Sequence, residues 1–247
     1  LFYDWYDLGG VIPVKAFASY YAQYWNRFIY VANFPAALAL DADLVALIPS
    51  KGVELDDQEY KALLAYLNSS IAKLYFEVHG RSTGGGALAL EANTLNDAPV
   101  IDVKKLPRSV DAKLAQLFDK LESEARRLGG ADSVENVFGS ELAKEFTGRD
   151  VRPGVEGLFN TVIKEIDYAI GDILGLSKDE VETVRRLVIE YAMRRLARAR
   201  EPQPGSLRGS EEVAAIEAPK RTEAMKKKGE ETRPALVRKL DEFFPKQ

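Results

Sequence analysis

The spacing of apolar residues between positions 60 and 78 predicts one long helix. Apolar residues recur there at intervals of three and four, which places them on one face of a helix. These residues are Tyr60, Leu63, Leu64, Leu67, Ile71, Leu74, Tyr75 and Val78. Asp56 or Asp57 is placed to cap the start, because a carboxylate there accepts hydrogen bonds from free backbone amides. Gly80 suits the left-handed conformation that ends many helices.

The second half of the chain shows the same helical spacing in three further stretches, 109–130, 153–175 and 177–200. The first two end at glycines, which favour a helix stop. The third has the most complete start, since Ser177 and Glu180 form a capping box in which each side chain satisfies a free amide. The apolar stripe of each helix needs a covering partner, so these stretches predict a helical lobe.

Short apolar and β-branched runs between turn residues predict strands in the first hundred residues. These runs lie at 28–31, 44–48, 87–90 and 100–101. Near the other end of the chain, the spacing of apolar residues predicts a short amphipathic helix over 234–244.

The predicted fold class is therefore α+β. A mixed N-terminal lobe with short strands and one long helix covers residues 1–107, and a helical C-terminal lobe covers 108–200. Residues 201–247 form a linker and a charged tail with the short terminal helix. The tail is rich in Lys and Glu and has too few apolar residues to pack alone.

Composition excludes several classes of function. The 247-residue chain is 46% hydrophobic, enough for a core, yet no apolar run approaches the roughly 18 residues of a membrane helix. We therefore expect no membrane partner. Because the chain has no cysteine, thiolate catalysis and cysteine-based metal sites are excluded, and a cytoplasmic location fits. With His79 as the only histidine, a multi-histidine metal site is excluded as well.

The net charge of −4 argues against tight DNA binding by this chain alone. Nucleic-acid binders are usually basic, because neutralising phosphates drives their affinity. The charge still permits a module whose partner domain supplies most phosphate contacts.

The segment after the long helix carries the most chemistry. It reads Gly80-Arg81-Ser82-Thr83-Gly84-Gly85-Gly86. Consecutive glycines allow close approach of a ligand, and their amides can hold a phosphate oxygen. Arg81 can pair with a phosphate or with guanine O6 and N7, while Ser82 and Thr83 add hydroxyl donors. From composition alone, a mobile structural turn explains the same residues, and His79 is best explained as a capping or packing residue.

Three segments, 63–70, 76–88 and 95–100, resemble the region that follows the catalytic domain in TaqI-like and type IIG restriction-modification DNA methyltransferases. The run Gly80 to Gly86 is the specific part of the resemblance. Segments 27–33 and 166–177 are also similar to that region. One departure is that 95–100 contains a single proline, where the family has two.

The resemblance implies a DNA sequence-recognition domain of an adenine-N6 methyltransferase. In that family the target adenine is flipped into a catalytic domain that binds S-adenosylmethionine. No Asn/Asp-Pro-Pro-Tyr/Phe motif occurs here, since Asn33-Phe34-Pro35 lacks the second proline. We therefore expect no catalytic residue, metal or cofactor in this chain, and double-stranded DNA and its own catalytic domain or subunit as partners. The implied DNA-binding residues are His79, Arg81, Ser82, Thr83, Gly84, Gly85 and Gly86.

Two further patterns favour less specific explanations. The triplet Asp102-Val103-Lys104 is similar to the end of a metal-dependent nuclease site but lacks additional carboxylates to hold the metal. Arginines crowd the predicted last helix, where they indicate a solvated helix end or, less strongly, a phosphate-contacting face. They are Arg185, Arg186, Arg194, Arg195, Arg198 and Arg200.

A second function of a different class stays open. The helical lobe and the charged tail can instead dock a partner subunit, which makes the chain a non-catalytic protein-interaction module. The acidic net charge favours this alternative, and the segment 63–107 favours DNA recognition.

Overall fold

A computed structural model describes residues 14–31, 43–50, 52–200 and 237–239 of the chain. It combines helices with short antiparallel strands, so the predicted α+β class is confirmed. No helix in these ranges is both long and apolar enough to cross a membrane.

Three small antiparallel sheets lie in or against the N-terminal half. The first has the order β3-β1-β4, from Phe28–Tyr30, Ala16–Ser19 and Leu44–Leu47. In the second, the order is β2-β6-β5, from Tyr21–Ala22, Leu88–Ala89 and Arg81–Ser82. The third pairs β7, Pro99–Ile101, with β8, Val237–Lys239. The four predicted strands are thus confirmed, with small shifts at their ends.

The pairing of β8 with β7 contradicts the helix predicted over 234–244. Residues 237–239 form a strand in which Val237 lies opposite Ile101 and Lys239 opposite Pro99. Pairing with a free strand edge satisfies backbone groups of both segments, and here it outweighs the weak helical spacing of the tail. The rest of that predicted helix lies outside the described residues, as does the predicted linker.

The prediction of one long helix over 60–78 is wrong, because this region forms two helices. α1 spans Asp57–Leu67 and α2 spans Ser70–His79. Between them, Asn68 Nδ2 donates to the carbonyl of Phe28 at 2.8 Å, and Asn68 Oδ1 accepts from the Phe28 amide. Ser69 caps α2 by accepting from the amide of Ala72. Asparagine and serine bonds of this kind compete with the helix and interrupt it.

The prediction for Gly80 also needs correction. Its φ is −71°, so the backbone is extended and not left-handed. Glycine is required here by close packing instead, since a Cβ would lie 2.6 Å from the carbonyl oxygen of Phe76 and 2.9 Å from Leu88 Cδ1.

α3 spans Ala92–Asn96 and belongs to the N-terminal half. The helical half contains α4 to α8, which span Arg108–Arg127, Val134–Phe138, Ser140–Thr147, Val162–Leu174 and Lys178–Arg200. The capping box predicted at the start of α8 is confirmed, with Ser177 and Glu180 bonded to each other's amides. α7 begins nine residues later than predicted, because Gly154 and Gly157 adopt positive φ in a turn that precedes it. The short helices α3, α5 and α6 are not among the predicted elements.

One apolar cluster fills the interior on both sides of residue 107. α1 packs against α4, and α2 packs against α8. Leu63 and Phe76 from the first half meet Phe118, Phe138 and Ile166 from the second half in this cluster, and all five are essentially inaccessible to solvent. The apolar face of the 57–79 region is therefore covered by helices from the helical half.

Candidate nucleic-acid interface

The segment Gly80 to Gly86 forms a short hairpin. Arg81 lies opposite Ala89 and Ser82 opposite Leu88 in the β5–β6 pair. Residues Gly84–Gly86 make one 3₁₀ turn between these strands. Gly85 and Gly86 have φ values of +74° and +78°, which side chains rarely allow, so the glycines are required by the turn itself.

Most of the predicted DNA-binding residues share one exposed edge of this hairpin. Arg81, Ser82, Gly84 and Gly85 are exposed and Thr83 is partly exposed. Thr83 closes the turn, since its amide and hydroxyl both donate to the carbonyl of Ala87, at 2.8 and 3.0 Å.

Two of the predicted residues lie in different surroundings. Gly86 is buried against α8, with Leu196 and Ala199 beside its Cα. His79 is exposed at the end of α2 and lies over the ring of Tyr75, with 4.4 Å between ring centroids. This contact agrees with the packing role favoured for a lone histidine.

Arg81 is already paired in this structure. Its Nε donates to Glu91 Oε1 at 2.6 Å, and both side chains are about half exposed. The hydrogen bond to Glu91 raises the pKa of Arg81 above its usual value, and a hydrogen bond with Tyr20 acts in the same direction to a smaller extent. An ion pair at this exposure contributes little net stability, so an arriving phosphate or base can replace Glu91.

Arg195 holds the buried end of the hairpin. Its Nη1 donates to the carbonyl of Gly86, and its Nη2 donates to the carbonyl of Gln23 at 3.0 Å. Nε and Nη2 also bind the two carboxylate oxygens of Glu77, at 2.9 and 3.0 Å. The hairpin is thereby joined to β2, α2 and α8 through one side chain.

Lys73 completes this buried ionic cluster. Its Nζ donates to Glu77 at 2.9 Å and to Asn26 Oδ1 at 2.7 Å. Burial lowers the pKa of Lys73, and Arg195 acts in the same direction while Glu77 opposes both. For Glu77, burial acts to raise the pKa, but the attraction of Lys73 and Arg195 prevails and the pKa is lowered.

A second buried cluster joins α2, α7 and α8. Arg185 Nη1 donates to Asp167 at 2.5 Å, and Arg185 Nη2 donates to the carbonyl of Phe159 at 2.8 Å. Burial raises the pKa of Asp167 to about 6, although Arg185 and Ser70 act in the opposite direction.

Both explanations of the arginine-rich helix are therefore wrong for two of its members. Arg185 and Arg195 are buried ion-pair partners and cannot contact a phosphate or solvent. Arg186, Arg194 and Arg198 are exposed, and the side chain of Arg200 lies outside the described part. The sequence does carry a signal for the two buried arginines, because they continue the apolar stripe of α8 at helical spacing. That stripe is Val181, Arg185, Val188, Ala192 and Arg195.

The structure adds no metal site to the triplet at 102–104. In the described ranges no group of three or more acidic or histidine side chains could hold a metal ion. Asp102 is fully buried, and its Oδ2 lies 3.5 Å from Lys105 Nζ.

An apolar cleft of about 230 Å³ lies apart from the hairpin, between β3 and α4. Its walls include Phe28, Phe118 and Leu121, and Arg27 and Glu122 lie among its polar lining residues. None of the predicted DNA-binding residues lines it.

Comparison of the chain with protein-family models, curated proteins and solved structures returned no match.

Proposed function

We propose that this chain is the DNA sequence-recognition part of an adenine-N6 DNA methyltransferase of the restriction-modification type, acting in the cytoplasm. In this proposal a separate domain or subunit binds S-adenosylmethionine and receives the flipped adenine. The observation that carries the proposal is the Gly80–Gly86 hairpin, whose exposed edge presents Arg81, Ser82 and bare glycine backbone.

The geometry of the hairpin suits a phosphate backbone better than a base edge. Gly84 and Gly85 have open space where a Cβ would stand, so a ligand can approach the main chain closely. Arg81 lies on the adjacent strand and can exchange Glu91 for an anionic oxygen with little loss. We therefore assign the hairpin to backbone contact, which positions the protein on DNA.

The experiment is Arg81→Ala in the complete methyltransferase, with Arg149→Ala as a control of equal charge change at an exposed turn. If Arg81 holds a phosphate, affinity falls almost equally for all sequences and the salt dependence loses about one unit of slope. A guanine contact instead costs about 1–3 kcal/mol at the proper site and relaxes one base pair. Unchanged affinity, specificity and salt slope in a folded Arg81→Ala enzyme would refute the DNA role of the hairpin.

The same proposal predicts that the chain alone transfers no methyl group. Methylation of an adenine-containing duplex by the pure chain, measured with labelled S-adenosylmethionine, would contradict it.

A second candidate function is a protein-docking module. Exposed apolar side chains on two packed helices favour this role. Val78 on α2 is 51% exposed and Tyr191 on α8 is 37% exposed. Isolated exposed apolar residues are common, so the docking role needs a direct measurement. Val78→Lys and Tyr191→Lys should disrupt assembly with a partner subunit but leave DNA affinity of the assembled enzyme unchanged if this role is correct.

A further inference from the structure

The guanidinium of Arg195 lies where four segments of the chain meet. It is 3% exposed and donates to Glu77, Gly86 and Gln23 from α8. A planar guanidinium directs its donors in a fixed fork, which suits a residue that must hold several acceptors in one arrangement. Because Glu77 binds two of its nitrogens, the orientation of Arg195 is fixed independently of the hairpin.

Gly86 is fitted to this anchor. A Cβ at Gly86 would lie 3.0 Å from Ala199 Cβ and 3.1 Å from Leu196 Cδ2, so the turn lies directly on α8. Gly85 has nearly the same positive φ but nothing within 4 Å of its Cβ position. The turn is therefore clamped at one end and open at the other.

We propose that Arg195 is a positioning residue that fixes the Gly84–Gly86 turn in its DNA-contacting conformation before DNA binds. This inference rests on the proposed function of the hairpin. A turn ordered in advance does not have to be ordered on binding, which raises affinity without any added contact. Arg195 is buried and therefore acts through the turn and not on a phosphate.

The first test measures order in the free 247-residue chain and does not involve DNA. Arg195→Lys keeps the charge but cannot reproduce the fork. We therefore expect hydrogen exchange to accelerate about tenfold or more at the Thr83 and Gly86 amides, which donate to the carbonyls of Ala87 and Thr83. Arg194→Lys, at the exposed neighbouring position, should leave this exchange unchanged.

Glycine substitutions provide a second route that leaves the ion pair intact. Gly86→Ala and Gly85→Ala both strain a positive φ, but only Gly86→Ala also meets α8. We expect Gly86→Ala to detach the turn and weaken DNA binding more than Gly85→Ala does. This comparison remains informative if Arg195→Lys does not fold.

The second test measures duplex affinity of the complete methyltransferase as a function of salt. Arg195→Lys should weaken binding about three- to tenfold with an unchanged salt slope, because no phosphate contact is lost. Arg81→Ala should change the salt slope, because it removes a phosphate contact. A variant that only disorders the turn should leave the salt slope unchanged.

Each outcome bears on a different statement. Unchanged exchange in both Arg195→Lys and Gly86→Ala overturns the anchoring role. Faster exchange with unchanged DNA affinity overturns the link between anchoring and DNA recognition. If the wild-type enzyme binds DNA without using the hairpin, as judged by Arg81→Ala, the proposed function fails while the exchange result still decides the anchor.

Discussion

The carboxylate of Asp167 on α7 closes the first turn of α2 by accepting from the amide of Ser70 at 2.7 Å and from its hydroxyl at 2.6 Å. The same carboxylate receives Arg185 from α8. Free amides at a helix start are normally satisfied by a residue near in sequence, but here the partner is 97 positions away. This contact fixes α2, and with it the hairpin that follows, to the helical half.

We expect Asp167→Ala to destabilise the fold by about 3–5 kcal/mol, because it removes the buried carboxylate that pairs with Arg185 and leaves only the half-exposed Glu182, 3.5 Å from Arg185 Nε. The cost comes from a poorly paired buried charge, so Asp167→Leu combined with Arg185→Met should recover much of the lost stability. Urea unfolding of Asp167→Leu, of Arg185→Met and of the double variant measures this coupling. If the stability lost in the double variant equals the sum of the two single losses, the two side chains are not coupled.

Gly80 offers a test of why glycine stands at the end of α2. Because a Cβ there would lie 2.6 Å from the Phe76 carbonyl, Gly80→Asn should destabilise by about 1–3 kcal/mol. A left-handed helix stop would instead tolerate asparagine well. Gly84→Asn serves as the control, since it has open space and no positive φ. Equal unfolding midpoints for the two variants would contradict the packing explanation.

The sequence predicted what local spacing determines and missed what distant contacts determine. Helical periodicity locates α4 and α8, and the local spacing of Ser177 and Glu180 correctly predicts the capping box. The break at Asn68 depends on a backbone partner 40 residues away, Phe28, which no local pattern reveals. The residues of the hairpin can be identified from the sequence, but Arg195 cannot be identified as their anchor, because it lies 109 positions from Gly86.

Asp111 gives the fold a distinct pH dependence. It is buried at the start of α4, and its Oδ1 has no hydrogen-bond partner among the described residues. Burial raises the pKa of Asp111 to about 6, with Arg108 acting in the opposite direction. The folded pKa thus exceeds the unfolded value, so the native state binds the proton more tightly. Ionisation of the buried carboxylate therefore lowers the free energy of unfolding. This destabilisation is absent below about pH 4 and complete above about pH 6.

Asp111→Asn should therefore raise the melting temperature at pH 7 and have little effect near pH 4. The amide keeps the shape of the side chain and removes the buried charge. Thermal unfolding of both proteins is measured from pH 4 to 7.5, and their melting temperatures are compared at each pH. Because other titrating groups such as Asp167 are present in both proteins, their pH dependence cancels in the difference. A stabilisation that is the same at every pH would show that Asp111 does not titrate in this range.

Glu91→Gln should change DNA binding in the opposite direction to Arg81→Ala. The carboxylate of Glu91 occupies Arg81 in the free protein, so neutralising it releases the guanidinium for a phosphate. Since exposed ion pairs contribute up to about 1 kcal/mol, we expect duplex affinity of the complete methyltransferase to rise about two- to fivefold. In an Arg81→Ala background the gain should shrink, because no guanidinium remains to be released. A gain of the same size in both backgrounds would mean that Glu91 repels DNA directly. Lower affinity in Glu91→Gln would instead indicate that the ion pair holds Arg81 in its binding position.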